Sequence, residues 1–231
     1  MTFRDRLFVW AGGGMFVASL AFCAYSYMFR WAVPHAVDRD ASGFDAIVFS
    51  VFALHHSLFA RTGAKDWLSR HVPDRLLRSI YVWIASLLLV AVCVLWKPIG
   101  GVVYHHTGVI AVGHGFVQVL GVWLVAQSVR SIDPLELAGI RSQSDATALP
   151  VGGLQVAGPY RLVRHPLYLG WILMVFGAAL MTGDRLVFAA ITTLYLVLAI
   201  PWEERSLRTA FGNDYERYMQ RVRWRMIPFI Y

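Results

Sequence analysis

Charge is what this sequence has least of. Only 15% of its 231 residues are Asp, Glu, Lys or Arg, against 58% apolar, and the mean hydropathy is +0.54. That balance excludes an ordinary water-soluble domain, in which about a quarter of the residues are charged. Cysteine is nearly missing as well. Cys23 and Cys93 both fall inside apolar runs, so no disulfide framework is built on them. No C-x-x-C, H-E-x-x-H or Glu-x-x-His spacing occurs, and no metal site is expected. Repeats, low-complexity tracts and domain linkers are also lacking, which leaves one membrane domain over residues 1–231.

Long apolar runs are abundant instead. Six stand out, at 7–29, 44–60, 79–96, 109–129, 167–182 and 185–201. Several approach the ~17 to 25 residues that cross a hydrocarbon core, so the expected fold is all-α and polytopic, with about six transmembrane helices and a range of roughly five to seven. Helix is required because unpaired backbone groups cost several kcal/mol in lipid. Residues 1–130 then form a four-helix scaffold, and 131–231 supply a cytosolic loop, a helical hairpin and a tail. Arg4 and Arg6 before the first run resemble a signal sequence, but the run continues to Phe29, and an uncleaved span is expected.

The net charge of +7 is unevenly placed. Of the 21 Lys and Arg, all but Arg30, Arg39, Lys97 and Arg185 fall on one side of a six-span arrangement. The positive-inside tendency puts both termini and that side in the cytosol, most simply in an inner or plasma membrane. The basic excess reads as orientation and attraction to anionic lipid, with no nucleic acid among the partners.

Histidines inside apolar runs are the first functional signal. His55 and His56 sit near the cytosolic end of the second run and are expected to pack or to line a substrate cavity together with Trp202. His114 lies near the external end of the fourth run, about 15 Å away in depth, which separates it from any ligand set they could form. His105 and His106 read as loop residues. Gly12, Gly13 and Gly14 mark a place for close helix approach. Arg61, Lys65, Arg70, Arg75 and Arg78, with Trp67, suit a segment in the headgroup region. In the long stretch that follows the fourth run, Asp133, Glu136 and Arg141 can pair among themselves.

The strongest signal lies at the two ends of the last pair of runs. They hinge at Thr182-Gly183-Asp184. His165 lies 18 residues before Gly183 and Glu203 lies 19 after Asp184. At ~1.5 Å per residue both stand about 27 to 29 Å from the hinge, on one membrane face. Pro166 fits the first turn of a helix, whose free N–H groups, with Arg161 and Arg164, favour an anion. Glu203 and Glu204 favour a cation or hydroxyls, and Tyr160, Tyr168 or Trp202 can hold an onium charge against a ring. A ligand with a carboxylate, ribose hydroxyls and a cationic sulfur would satisfy both sets.

GPYRLVRHPLYLGW (158–171), EERSL (203–207), FGNDYERYMQRV (211–222) and IPF (227–229) resemble the isoprenylcysteine carboxyl methyltransferase family, integral-membrane enzymes related to phospholipid N-methyltransferases. The likeness covers the last third of the chain. It implies S-adenosyl-L-methionine as cofactor, held by Tyr160, Arg164, His165, Pro166, Tyr168, Gly170, Glu203 and Glu204, with Tyr215 and Tyr218 lining or closing the pocket. Arg164, His165 and Glu203 would be the catalytic set, facing the cytosol. HHSLFAR (55–61), Trp67, RSIYVWIASLLL (78–89) and Trp96-Lys97-Pro98 look like the subset of methanethiol S-methyltransferases and NnrU-like membrane proteins, which favours a small or hydrophobic thiol as acceptor. A prenylated cysteine carboxylate and a phospholipid amine stay open, as does a non-enzymatic haem- or quinone-linked protein using His55 and His56. The tail departs from the family by one residue at Arg223-Trp224-Arg225.

Overall fold

The computed structural model describes residues 2–59, 70, 72–131, 134–140 and 153–231. The headgroup-region loop around Trp67 and the proposed pairing of Asp133, Glu136 and Arg141 lie outside them. The described residues of Met1–Gly101 and Pro134–Ala148 make one compact unit, and those of Val102–Asp133 and Leu149–Tyr231 make another.

In the first unit, α1 (Phe3–Tyr25) opens with a capping box: the Thr2 hydroxyl accepts from the Asp5 N–H while the Asp5 carboxylate accepts from the Thr2 N–H. It runs on through a turn of π-helix, Ser26–Arg30, where Arg30 donates to the Cys93 carbonyl at 2.9 Å. Then come α2 (Arg39–Phe59) and α3 (Asp74–Leu95). The triple glycine takes side chains, not a helix backbone. A Cβ on Gly12 would lie 2.8 Å from the Trp83 indole nitrogen, and one on Gly13 would lie 2.6 Å from Ile140, just beyond the short α5 (Pro134–Leu137).

The second unit carries β1 (Val102–His105), α4 (Gly108–Arg130), a 3₁₀ turn at Gly158–Arg161, α6 (Pro166–Phe176), β2 (Leu180–Thr182), α7 (Gly183–Phe211) and α8 (Asn213–Arg221). β1 and β2 pair antiparallel, a small exception to an otherwise helical fold. α4 and α6 nearly touch backbone to backbone: a Cβ on Gly121 would sit 2.7 Å from the Gly170 carbonyl oxygen, and one on Gly170 would sit 2.8 Å from that of Gly121. Small residues permit that approach in lipid, where dispersion contacts replace a hydrophobic driving force.

Among the described residues five helices are long and apolar enough to span a membrane: Phe3–Arg30, Asp40–Leu58, Leu76–Leu95, Gly108–Arg130 and Gly183–Phe211. Val109, Val112, Phe116 and Val119 of α4 are each more than half exposed, an arrangement suited to lipid and costly in water. The fifth apolar run does not make a sixth full span. α6 stops after 11 residues at Phe176, and the chain continues extended into β2, because an apolar run alone does not distinguish a helix from a buried strand. Extended backbone advances about 3.3 Å per residue against 1.5 Å in a helix, so the shorter helix still brings its start back towards the far part of α7.

Candidate active site

α6 is positioned by its own entry. Pro166 occupies N1, where a missing N–H costs nothing, and His165 precedes it at φ −122°, ψ 66°, outside the helical region that a following proline disfavours. The segment after α8 closes over that entry. The N–H groups of Arg164 and His165 donate to the carbonyls of Trp224 at 2.9 Å and Arg225 at 2.7 Å. Arg164 Nη1 donates to the Val222 and Arg223 carbonyls at 2.9 and 2.8 Å. The tail, one residue longer at Arg223-Trp224-Arg225, thus closes on the Arg-His pair through its backbone oxygens.

The opposite wall comes from α7. Thr182 caps its start, and the helix passes through Pro201 to Phe211, so Glu203 and Glu204 remain on regular turns. Adjacent helical residues point about 100° apart, and the two carboxylates meet different surroundings. Glu204 is 1% exposed. Its Oε1 takes Arg164 Nε at 2.7 Å and faces His165 Nε2 at 3.4 Å, while Oε2 faces Arg225 Nε at 3.4 Å. Glu203 keeps 43% of its side chain exposed, accepts from the Tyr168 hydroxyl at 2.7 Å and lies 3.5 Å from His165 Nδ1. The imidazole thus bridges both carboxylates and stacks on Tyr168, with ring centroids 5.3 Å apart.

Tyr215 and Tyr218 of α8, with Val222, form a buried cluster against Leu154, Tyr160, Leu207, Phe211 and Met219. The Tyr218 hydroxyl donates to the Tyr160 carbonyl at 2.7 Å. The Tyr215 hydroxyl is buried and has no hydrogen-bond partner among the described residues. Burial, and then the charge of Glu203, push the Tyr160 phenol up to about 12. Burial first and Glu204 second raise Tyr215; burial first and Tyr215 second raise Tyr218. All three remain neutral donors at ordinary pH.

Arg164, His165, Tyr168, Glu203 and Glu204 are thus in mutual contact, with Tyr160, Tyr215 and Tyr218 packed beside them. Pro166 is buried at the helix start, and Gly170 serves the crossing with α4. Of the groups expected to draw an anion at the start of α6, Arg164 is already paired with Glu204 of the chain itself. Trp202 is half-exposed on α7. His55 and His56 belong to the first unit, where both rings lie against Tyr81, at 5.5 and 5.9 Å, and Arg78 lies over that same ring. Sequence reasoning missed Arg225 as a second arginine on Glu204; the unusual Arg-Trp-Arg was the visible sign. It also missed the pair His106 and His114, whose ring nitrogens lie 2.8 Å apart at the other end of α6. Eight residues of separation across a strand end and a helix start carry no periodic signal.

Residues 109–214 match the family model for phospholipid methyltransferase, a span that contains Arg164, His165 and both glutamates. A methanethiol S-methyltransferase of Bradyrhizobium diazoefficiens is 33% identical over 210 residues, covering 86% of this chain and 81% of its own. The chain belongs to this family of membrane methyltransferases. A second relative of this methyltransferase, the methanethiol S-methyltransferase of Mycobacterium tuberculosis, is 34% identical over 203 residues, 82% of each chain. A rice protein named "Probable protein-S-isoprenylcysteine O-methyltransferase" is 40% identical over 76 residues, 32% of this chain and 39% of its own. No solved structure matches the methyltransferase significantly.

Proposed function

We propose that the methyltransferase transfers the sulfonium methyl group of S-adenosyl-L-methionine to a small or hydrophobic thiol at the cytosolic face of an inner or plasma membrane, and that Arg164, His165, Tyr168, Glu203 and Glu204 form its cofactor end. The observation that carries the reading is the unequal pair of carboxylates. Glu204 is surrounded by three cationic or imidazole donors, whereas Glu203 is half-exposed and has acceptor capacity left.

The donor set fits the cofactor. Glu203 can accept from ribose hydroxyls or an ammonium group, and the buried Tyr215 hydroxyl has a hydrogen bond still to give. The stacked rings of His165 and Tyr168 offer a polarisable face that can hold a cationic sulfur. When bound, S-adenosylmethionine supplies an activated methyl group with its own leaving group. Tyr168 and His165 hold the Glu203 carboxylate in one orientation. Arg164 and Arg225 neutralise Glu204 and clamp the tail. The tyrosine cluster keeps water from one side. For a thiol acceptor, the thiolate is the nucleophile; His165 can take or relay its proton, or an arginine such as Arg164 can favour the thiolate by its charge. An acid–base triad is not needed, since alignment supplies most of the rate.

The thiol preference rests on the names of the relatives over most of the chain. The test is a labelled-methyl transfer assay in membranes with methanethiol, a prenylated cysteine and a phosphatidylethanolamine headgroup offered in parallel. Transfer to methanethiol well above the other two is expected. Preferential labelling of the carboxylate or the amine would replace the acceptor, and no transfer to any of them would remove the activity.

A further inference from the structure

Beside the proposed active site, on the outer side of the segment that holds Arg164, the second unit has two adjoining hollows. One, of about 380 Å³, is lined by Val156, Ala157, Arg161, Tyr218, Arg221 and Val222. The other, of about 340 Å³, shares Arg161, Arg221 and Val222 and adds Arg223, Trp224 and Phe229. Arg161, Arg221 and Arg223 are exposed, and their guanidinium groups make no hydrogen bond or ion pair among the described residues. This differs from Arg164, Arg208, Arg217 and Arg225, each of which is paired with a carboxylate. Three unpaired cations around a concavity hold a local positive potential that an anion with several acceptor oxygens would satisfy.

The rim is apolar. Leu162 is 56% exposed, Phe229 84% and Ile230 77%. Phe229 also adopts φ 65°, a left-handed conformation that is uncommon for an aromatic residue. The turn holds it there: the N–H groups of Met226 and Ile227 donate to the Tyr231 carbonyl at 2.8 and 3.0 Å, and that of Tyr231 donates to the Ile227 carbonyl at 3.0 Å. Trp224 lies against the Phe229 ring at 5.4 Å. The backbone thus spends conformational energy on presenting two apolar side chains outward next to three cations. Aromatic and apolar tips beside arginines are the pattern of a surface that sits at the boundary between headgroups and acyl chains.

From this we infer that the Arg161, Arg221 and Arg223 hollow is a binding site for the phosphate of an anionic phospholipid, with Leu162, Phe229 and Ile230 resting against its acyl chains. Its floor is Val222 and Arg223, whose carbonyls hold Arg164 Nη1, so the bound headgroup braces the wall of the catalytic cluster. This lipid is a resident of the surface, not the methyl acceptor. The inference rests on the chain's being embedded in a membrane and not on the identity of cofactor or acceptor.

The test measures lipid retention on the purified full chain by native mass spectrometry, with phosphatidylglycerol and phosphatidylcholine offered together. Arg161→Gln, Arg221→Gln and Arg223→Gln are compared with Arg217→Gln, whose arginine lies on α8 but is paired with Asp214. Phosphatidylglycerol is expected to be retained in preference. That preference should fall about fivefold for each of the three substitutions and hold in Arg217→Gln. Equal retention of the two lipids, or an unchanged preference in the three variants, would overturn the site. Displacement of phosphatidylglycerol by inorganic phosphate at matched concentration would reduce it to a free-anion site and overturn the lipid assignment. A parallel S-adenosylmethionine titration separates the readings: a loss of cofactor binding in Arg221→Gln without loss of lipid preference would move these arginines into the cofactor pocket and contradict the inference.

Discussion

The two ends of α6 carry two polar clusters with different logic. At its start, Arg164, His165, Tyr168, Glu203, Glu204 and Arg225 form a charged network in which one carboxylate is left half-exposed. Beyond its last turn, His106 and His114 share a hydrogen bond, His114 Nδ1 lies 3.1 Å from the Gly177 carbonyl, and the Tyr104 hydroxyl donates to the Phe176 carbonyl. The second cluster is closed on backbone oxygens and fixes the helix end against β1 and α4. The first holds acceptor capacity on Glu203 that no described residue uses up. Histidines embedded in apolar surroundings therefore do not by themselves mark a site; unspent capacity beside a braced partner does.

The largest effect expected from breaking this contrast is at Glu204. Glu204→Ala leaves Arg164, which is 8% exposed, without its carboxylate. A loss of about 3 to 5 kcal/mol is expected for removing one partner of a buried pair, read as a lower melting temperature in detergent together with lost transfer. Next comes Glu203→Gln, which keeps the shape and removes the charge. It should weaken methyl-donor binding about tenfold to a hundredfold, the range of a charge-assisted hydrogen bond, with melting nearly unchanged. Gly170→Ala probes the crossing beneath both clusters. A Cβ 2.8 Å from the Gly121 carbonyl forces the helices apart, and a loss of about 1 to 3 kcal/mol in thermal unfolding is expected, with cofactor affinity falling only as the fold does.

Much of this was legible before any coordinates. The apolar runs and the pairing of Arg-His-Pro with Glu-Glu across a fold-back follow from counting residues and judging side chains, while Tyr215 and Tyr218 came only with the family resemblance. The break of the fifth run at Phe176 was not legible, because Leu180-Met181-Thr182 is as apolar as the helix before it and only pairing with Val102–His105 makes it a strand. Nor was the division of labour between Glu203 and Glu204. Adjacent residues on a helix necessarily face different ways, but which one turns inward depends on where the Val222–Arg225 segment lands. His106 lies in a loop as expected, whereas His105 ends β1; the bond from His106 to His114 was not legible, since its partner lies on another element.

Smaller effects sharpen the comparison at its quiet end. His114→Ala should cost about 1 kcal/mol of stability through lost hydrogen bonds and leave cofactor affinity unchanged, which distinguishes a structural cluster from a working one. The smallest effect is alkaline. Tyr160 is held up at about 12 by burial and Glu203, above the ordinary phenol value near 10. Below about pH 10 folded and unfolded chains both keep the proton, and the stability is intact. Above it the unfolded chain releases the proton first, so stability falls as pH rises towards the folded value. Melting temperature followed from about pH 9 to 11 should decline, and Tyr160→Phe should flatten that decline.

Equilibrium titration of S-adenosylmethionine against the purified wild type and Glu203→Gln, with melting recorded on the same samples, tests the central claim most directly. The account predicts saturable binding by the wild type, at least about tenfold weaker binding by the variant, and matching melting curves. Equal affinity of the two proteins would contradict it.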